Sequence, residues 1–188
     1  MISINSSSRA LVPILFLAAL IAAGSAAPAR AASAGEIERE VDRALDTFQK
    51  IEGAKAFFEA SEGALVFPKV YKAGIGIGGE YGEGALRVGG KTVDYYSTAA
   101  ASFGFQLGAQ AKSIVILFMK ASALQQFRES EGWKVGVDGS VALVNLGVGA
   151  TVDTTNIKDP VIGFVFGQKG LMYNLTLEGA KFTKLDKR

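Results

Sequence analysis

The chain runs to 188 residues, with 20 lysines and arginines against 18 acidic residues and neither histidine nor cysteine. Without those two residue types it has no Ser-His or Cys-His nucleophile pair, no zinc site of the usual kind and no disulfide, so stability must come from a core. The formal charge of +2 resides in the first 31 residues, which hold Arg9 and Arg30 and no acid; the remainder is neutral and offers nucleic acid no general basic face.

Residues 1–31 read as a signal peptide that is cleaved. Arg9 supplies the positive start, Leu11 to Ile21 an apolar stretch shorter than the ~20 residues of a comfortable membrane span, and Ala29-Arg30-Ala31 a cleavage site. No cysteine follows the apolar stretch, which excludes lipid attachment there. The expected product is a single domain, residues 32–188, periplasmic or secreted after cleavage near Ala31.

Ser33-Ala-Gly-Glu36 has the form of a capping box, and Ile37, Val41, Ala44, Leu45, Phe48 and Ile51 follow at helical spacing. This predicts an amphipathic helix over about 35–51, with a second through Phe57 and Phe58 after Gly53. The polar face mixes acids and bases, which suits packing on the protein's own sheet better than lying on a membrane.

From Gly74 the chain reads Gly-Ile-Gly-Ile-Gly-Gly-Glu-Tyr-Gly-Glu-Gly. Alternate side chains of a strand point to opposite faces, so Gly74, Gly76 and Gly78 leave one face as bare backbone. Glycine inside a strand costs entropy and packs nothing, which implies that something approaches that face closely. The expected occupant is the protein's own helix. Gly74, Gly76 and Gly79 also satisfy G-x-G-x-x-G, but a dinucleotide site needs a helix opening at the third glycine, and Glu-Tyr-Gly-Glu-Gly cannot start one.

The pattern then predicts short strands: Ala64 to Phe67, ending at Pro68; Ala73 to Gly79; Gly84 to Val88, turning at Gly89-Gly90 into Lys91 to Ser97; Ala101 to Ala109; and a buried Ser113 to Met119. Leu124 and Phe127 predict a helix over about 122–130. Further strands follow at Trp133 to Val137, Ser140 to Val152, Val161 to Gln168 and Leu171 to Glu178. The fold class is α+β: a strongly bent, mostly antiparallel glycine-rich β-sheet or partial barrel, with an N-terminal amphipathic helix and one internal helix.

Carboxylates remain for chemistry, at Glu80, Glu83, Asp94, Asp138, Asp153, Asp159 and Glu178. Most stand beside glycines or at apparent turns and read as solvated loop groups. The stretch from Asp153 to Asp159 lacks the spacing and the glycine of an EF-hand. The expectation is a protein with no cofactor, no metal and no enzymatic activity.

Gly63-Ala-Leu-Val-Phe-Pro68, Lys72-Ala-Gly-Ile-Gly-Ile-Gly-Gly79, Gly82-Glu-Gly84, Phe103-Gly-Phe-Gln-Leu-Gly108 and Leu177-Glu-Gly179 together resemble the SYLF domain of Ysc84-type proteins, over about residues 36–186. The resemblance implies lipid binding, with phosphoinositides in eukaryotic members and actin binding coupled to an SH3 domain in the yeast branch. An exported chain without an SH3 domain is not expected to meet actin, so the transferable part is affinity for anionic phospholipid, a membrane surface or another amphiphile. The alternative is a structural or protein-interaction module of the cell envelope. As lipid-binding residues the sequence offers Lys69 and Lys72 at the entry to the glycine strand, its Gly74, Gly76, Gly78 and Gly79, and Arg87 and Lys91 at its hairpin. Phe103 and Phe105 are candidates to line an acyl-chain pocket, or simply core. Oligomeric state is not legible.

Overall fold

The computed structural model describes residues 31–146, 158–170, 177 and 179–187, with backbone only at 75–76, 102–107 and 170. The expected signal peptide up to residue 30, the Asx-rich loop over 153–157, the predicted strand over 171–176, Glu178, and the side chains of Phe103 and Phe105 lie outside the described residues.

Helix α1 (Ala34–Gln49) begins where the capping box places it, with both reciprocal bonds between Ser33 and Glu36 present. Its buried residues are the predicted Ile37, Val41, Ala44, Leu45 and Phe48. Helix α2 (Ala54–Ala60) follows a left-handed Gly53. Both lie on the sheet: Phe48 meets Phe164 and Phe166 at ring separations of 5.1 and 5.6 Å, and Phe57 meets Phe164 at 5.7 Å.

The short strands predicted over 64–119 are two long ones. Strand β1 (Gly63–Val88) turns at Gly89-Gly90 and returns as β2 (Lys91–Phe118), paired antiparallel along their length. Both turn glycines have positive φ, 56° and 77°, as a two-residue hairpin of this hand requires. Pro68 does not end the strand. It falls at a register shift between Phe67 and Val70, where its missing N–H breaks no ladder bond, and Ser113 Oγ donates to its carbonyl at 2.8 Å.

A second shift, between Ile75 and Ile77, skips residues 104–106 on the β2 side. There the hairpin doubles back, giving each long strand two arms. The outer arm of β2, 110–118, pairs with β5 (Val161–Gly170), which pairs in parallel with β4 (Ala142–Leu146). The other arm pairs through 95–99 with β6 (Lys181–Leu185), which pairs with β3 (Gly132–Lys134). The result is a curled sheet, half a barrel, with α1 and α2 on its outside.

The bare glycine face is covered by the other arm of the same strand, which corrects the expectation of a helix. A Cβ on Gly84 would stand 1.9 Å from the Val66 carbonyl oxygen, one on Gly82 2.7 Å from that of Lys69, and one on Gly74 2.3 Å from the Gly78 Cα. These contacts step inward towards the bend, as they must when one strand folds back on itself. Glycine is required here because two backbones touch.

Inside the curl, Leu65, Phe67, Val70, Leu86, Tyr96, Ile114, Ile116 and Phe118 form a core with Phe182. Helix α3 (Ala121–Glu129) closes the end away from the bend. Its Phe127 ring lies 4.9 Å from both Tyr96 and Phe118, and Trp133 stacks on Phe182 at 5.8 Å.

Candidate functional site

The basic residues picked out by the sequence are not brought together. Lys69 is exposed on the outer surface and pairs with Glu40 of α1 at 2.7 Å. Arg87 is nearly covered by the same helix. Its Nη2 pairs with Asp42 and, at 3.3 Å, with Glu38, while Nη1 donates to the Gly90 carbonyl. Tyr95 donates to Glu38 at 2.8 Å, and this bond, with Thr92 and the Arg87 charge, holds the Glu38 carboxyl below its ordinary value despite burial. The acids on the polar face of α1 thus dock the helix. Lys91 is exposed beside the hairpin turn.

Lys72 points the other way. Beyond the shift at Pro68, Val70, Lys72 and Gly74 share the inner face, and Lys72 is buried. From β2 the inner face receives Gln110 and Lys112, both buried, at the same parity as Ile114 and Ile116. From the returning arm of β1 comes Glu80, whose Oε2 accepts from Lys112 Nζ at 2.9 Å. Reading Glu80 as a solvated loop acid was therefore wrong. The glycines around it do not break the strand; they let it lie against the other arm, which carries Glu80 inside.

Glu83 and Asp94 are likewise engaged. Asp94 pairs with Lys184 at 2.5 Å and Arg128 at 3.9 Å. Glu83 Oε2 accepts from the Ala32 amide at 3.1 Å and from Lys187 at 2.9 Å, while Lys187 also donates to the Ala32 carbonyl. Burial pushes the Glu83 carboxyl up, but Lys187, Tyr81 and the Ala32 amide outweigh it and hold it below its ordinary 4.5. A carboxyl depressed by folding contributes stability in full above its unfolded value and loses it as the pH falls through its folded one. Glu83→Gln should therefore lower the urea midpoint at pH 7, and the gap from the parent should close on titration well below pH 4.5.

Near the bend, the described residues include exposed large apolar side chains. Ile77 is 69% exposed, flanked by Tyr71 at 59% and Tyr81 at 51%; the only other exposed large apolar residues among those described are Val93 and Val137. Tyr71 and Tyr81 stand on the two arms on either side of the bend, with Gly79 meeting no atom within 4 Å of an added Cβ. Of the predicted glycines, Gly74 and Gly78 serve the bend and Gly79 is open; the surroundings of Gly76 lie outside the described residues.

Among the described residues, those near the bend are thus apolar and exposed at Ile77, Tyr71 and Tyr81 outside, and charged at Lys72, Glu80 and Lys112 inside. No helix among the described residues is long and apolar enough to cross a membrane. Residues 99–187 match the family model Ysc84, described as Las17-binding protein actin regulator. No curated protein matches the chain. The matched stretch runs from the middle of β2 through β6, leaving the β1 glycine run outside it. The match over residues 99–187 is consistent with the Ysc84 (SYLF) domain family.

Proposed function

We propose that the protein is a non-enzymatic envelope protein that binds anionic phospholipid, and that the bend of the glycine-rich hairpin is the part that meets the bilayer. The observation that carries this reading is the exposure of Ile77 beside the bend, with Tyr71 and Tyr81 also exposed on the outer faces of the two arms. An isoleucine and a tyrosine exposed near one bend suit the boundary of a bilayer, where a ring sits in the apolar layer and its hydroxyl in the headgroups, whereas the Tyr81 hydroxyl already donates to Glu83. Large apolar residues grouped at a surface call for a partner. The resemblance to SYLF domains points to the same ligand class.

This moves the contact from the charged ends of the glycine strand to its bend, since α1 already engages Lys69 and Arg87. The test is flotation with phosphatidylglycerol or cardiolipin vesicles, the protein's N-terminus being read by mass spectrometry so that an uncleaved leader is not mistaken for lipid binding. Ile77→Asp should weaken association by about tenfold or more, since burying an isoleucine is worth about 1.5–3 kcal/mol. Unchanged flotation of Ile77→Asp, or no flotation of the parent, would contradict the reading. A protein partner of the kind the family description names predicts the latter.

A further inference from the structure

Ala32 is held at both of its polar backbone atoms by side chains from far along the chain. Its amide donates to Glu83 Oε2 at 3.1 Å, and its carbonyl accepts from Lys187 Nζ at 2.8 Å. Lys187 Nζ also donates to Glu83 Oε2 at 2.9 Å, and the Tyr81 hydroxyl donates to Oε1 at 2.8 Å, so the carboxylate is held from both sides. The side chains of Glu83 and Lys187 are 10% and 12% exposed. Ala32 itself is half-buried against the core between α1 and the sheet, whereas Ala31 is exposed, and the compact unit begins at Ala32.

The bond between these two alanines is the one at which Ala29-Arg30-Ala31 predicts cleavage. A carboxylate bonded to the Ala32 nitrogen therefore stands where a new N-terminus would carry its charge. An ammonium there needs a counter-charge from outside the helix. It would lie just ahead of α1, at the positive end of the helix dipole, and the Glu36 carboxylate of the first turn is committed to Ser33. Glu83 reaches the nitrogen from 51 positions along the chain, and only the folded sheet brings it there.

We infer that Glu83, positioned by Tyr81 and Lys187, is the binding site for the chain's own N-terminal ammonium, generated by peptidase hydrolysis of the Ala31–Ala32 bond. Water adds its hydroxyl to the Ala31 carbonyl, the C–N bond breaks and the leader departs as a carboxylate; both protons of the water end on the Ala32 nitrogen. A neutral amide contact thereby becomes a charge-assisted one, roughly twice as strong. Processing fastens the start of α1 to the returning arm of β1 and to the segment after β6. The inference is independent of the membrane reading.

The test compares the exported protein, its first residue read by mass spectrometry, with the same chain prepared with Ala31 as its first residue. Both are treated at neutral pH with an amine-acylating reagent, and labelling of the N-terminal peptide is followed by mass. The Ala32 amine should react at least about tenfold more slowly than the Ala31 amine, because a carboxylate at hydrogen-bond distance favours the charged, unreactive form of an amine by about a pKa unit or more. Glu83→Gln keeps an acceptor and removes the charge, and it should bring the two rates together. The chain that starts at Ala32 should also unfold at a higher urea concentration than the extended one, by a gap that shrinks in Glu83→Gln. Equal labelling rates in the two parent chains overturn the inference, as does a processed protein that begins at another residue, or an Ala32 amine that stays slow in Glu83→Gln. If that variant does not fold, the comparison of the two parent chains decides alone.

Discussion

Gly84→Val is expected to cost about 3 kcal/mol or more and to leave little folded protein, whereas Gly79→Ala, five positions away, is expected to cost less than about 1 kcal/mol. Neighbouring glycines of one strand differ because they face different things. At Gly84 an added Cβ would lie 1.9 Å from the Val66 carbonyl oxygen and 2.8 Å from the Phe67 ring, so a backbone must move. Moving it opens the seam between the arms of β1 and exposes Leu65, Phe67 and Leu86, all fully buried. At Gly79 nothing lies within 4 Å. Urea denaturation of the two variants reads the difference, and similar midpoints would mean that the arms do not pack backbone to backbone.

Glu80→Ala should destabilise the protein by about 3–5 kcal/mol, because it leaves the Lys112 ammonium buried and uncompensated. The pair is short, at 2.9 Å, with side-chain exposures of 1% and 6%. Replacing both members, as in Glu80→Met with Lys112→Met, should restore most of the loss, since an apolar pair of similar volume incurs no charge desolvation. A double-mutant cycle built on urea midpoints yields the coupling. Strictly additive losses would mean that the ammonium and carboxylate do not depend on each other.

Helix α1 was legible because all of its signals are local. The capping box, the spacing of Ile37, Val41 and Phe48 and the bounding glycines lie within one stretch of chain. The hairpin turn at Gly89-Gly90 was legible for the same reason. What was not legible is the length of β1 and β2. Pro68 and the glycines of 74–84 are local break signals, and they are overruled by a ladder whose partners lie up to 55 positions away, as Gly63 and Phe118 do. Strand β6 was missed because Lys-Phe-Thr-Lys-Leu places a single fully buried residue, Phe182, among three exposed ones and a half-buried Leu185.

The interior charges were hidden by that same error. With β1 cut at Gly79, Glu80 fell into a loop, and with β2 cut at Ala109, Gln110 and Lys112 fell into a gap. One signal was available: Gln110 and Lys112 share the parity of Ile114 and Ile116, so a continuous strand carries them inward with the core. Helix α1 packs on the sheet as its mixed polar face suggested, yet its acids were not matched to Lys69 and Arg87, because only the fold brings residues 38–42 beside 69 and 87.

The most direct test is hydrogen–deuterium exchange with and without phosphatidylglycerol vesicles. Protection confined to peptides covering residues 71–81 and their ladder partners in β2, with none at Gly89-Gly90 or on α1, is the predicted result. Protection at the hairpin turn and α1, with the bend unchanged, would contradict it.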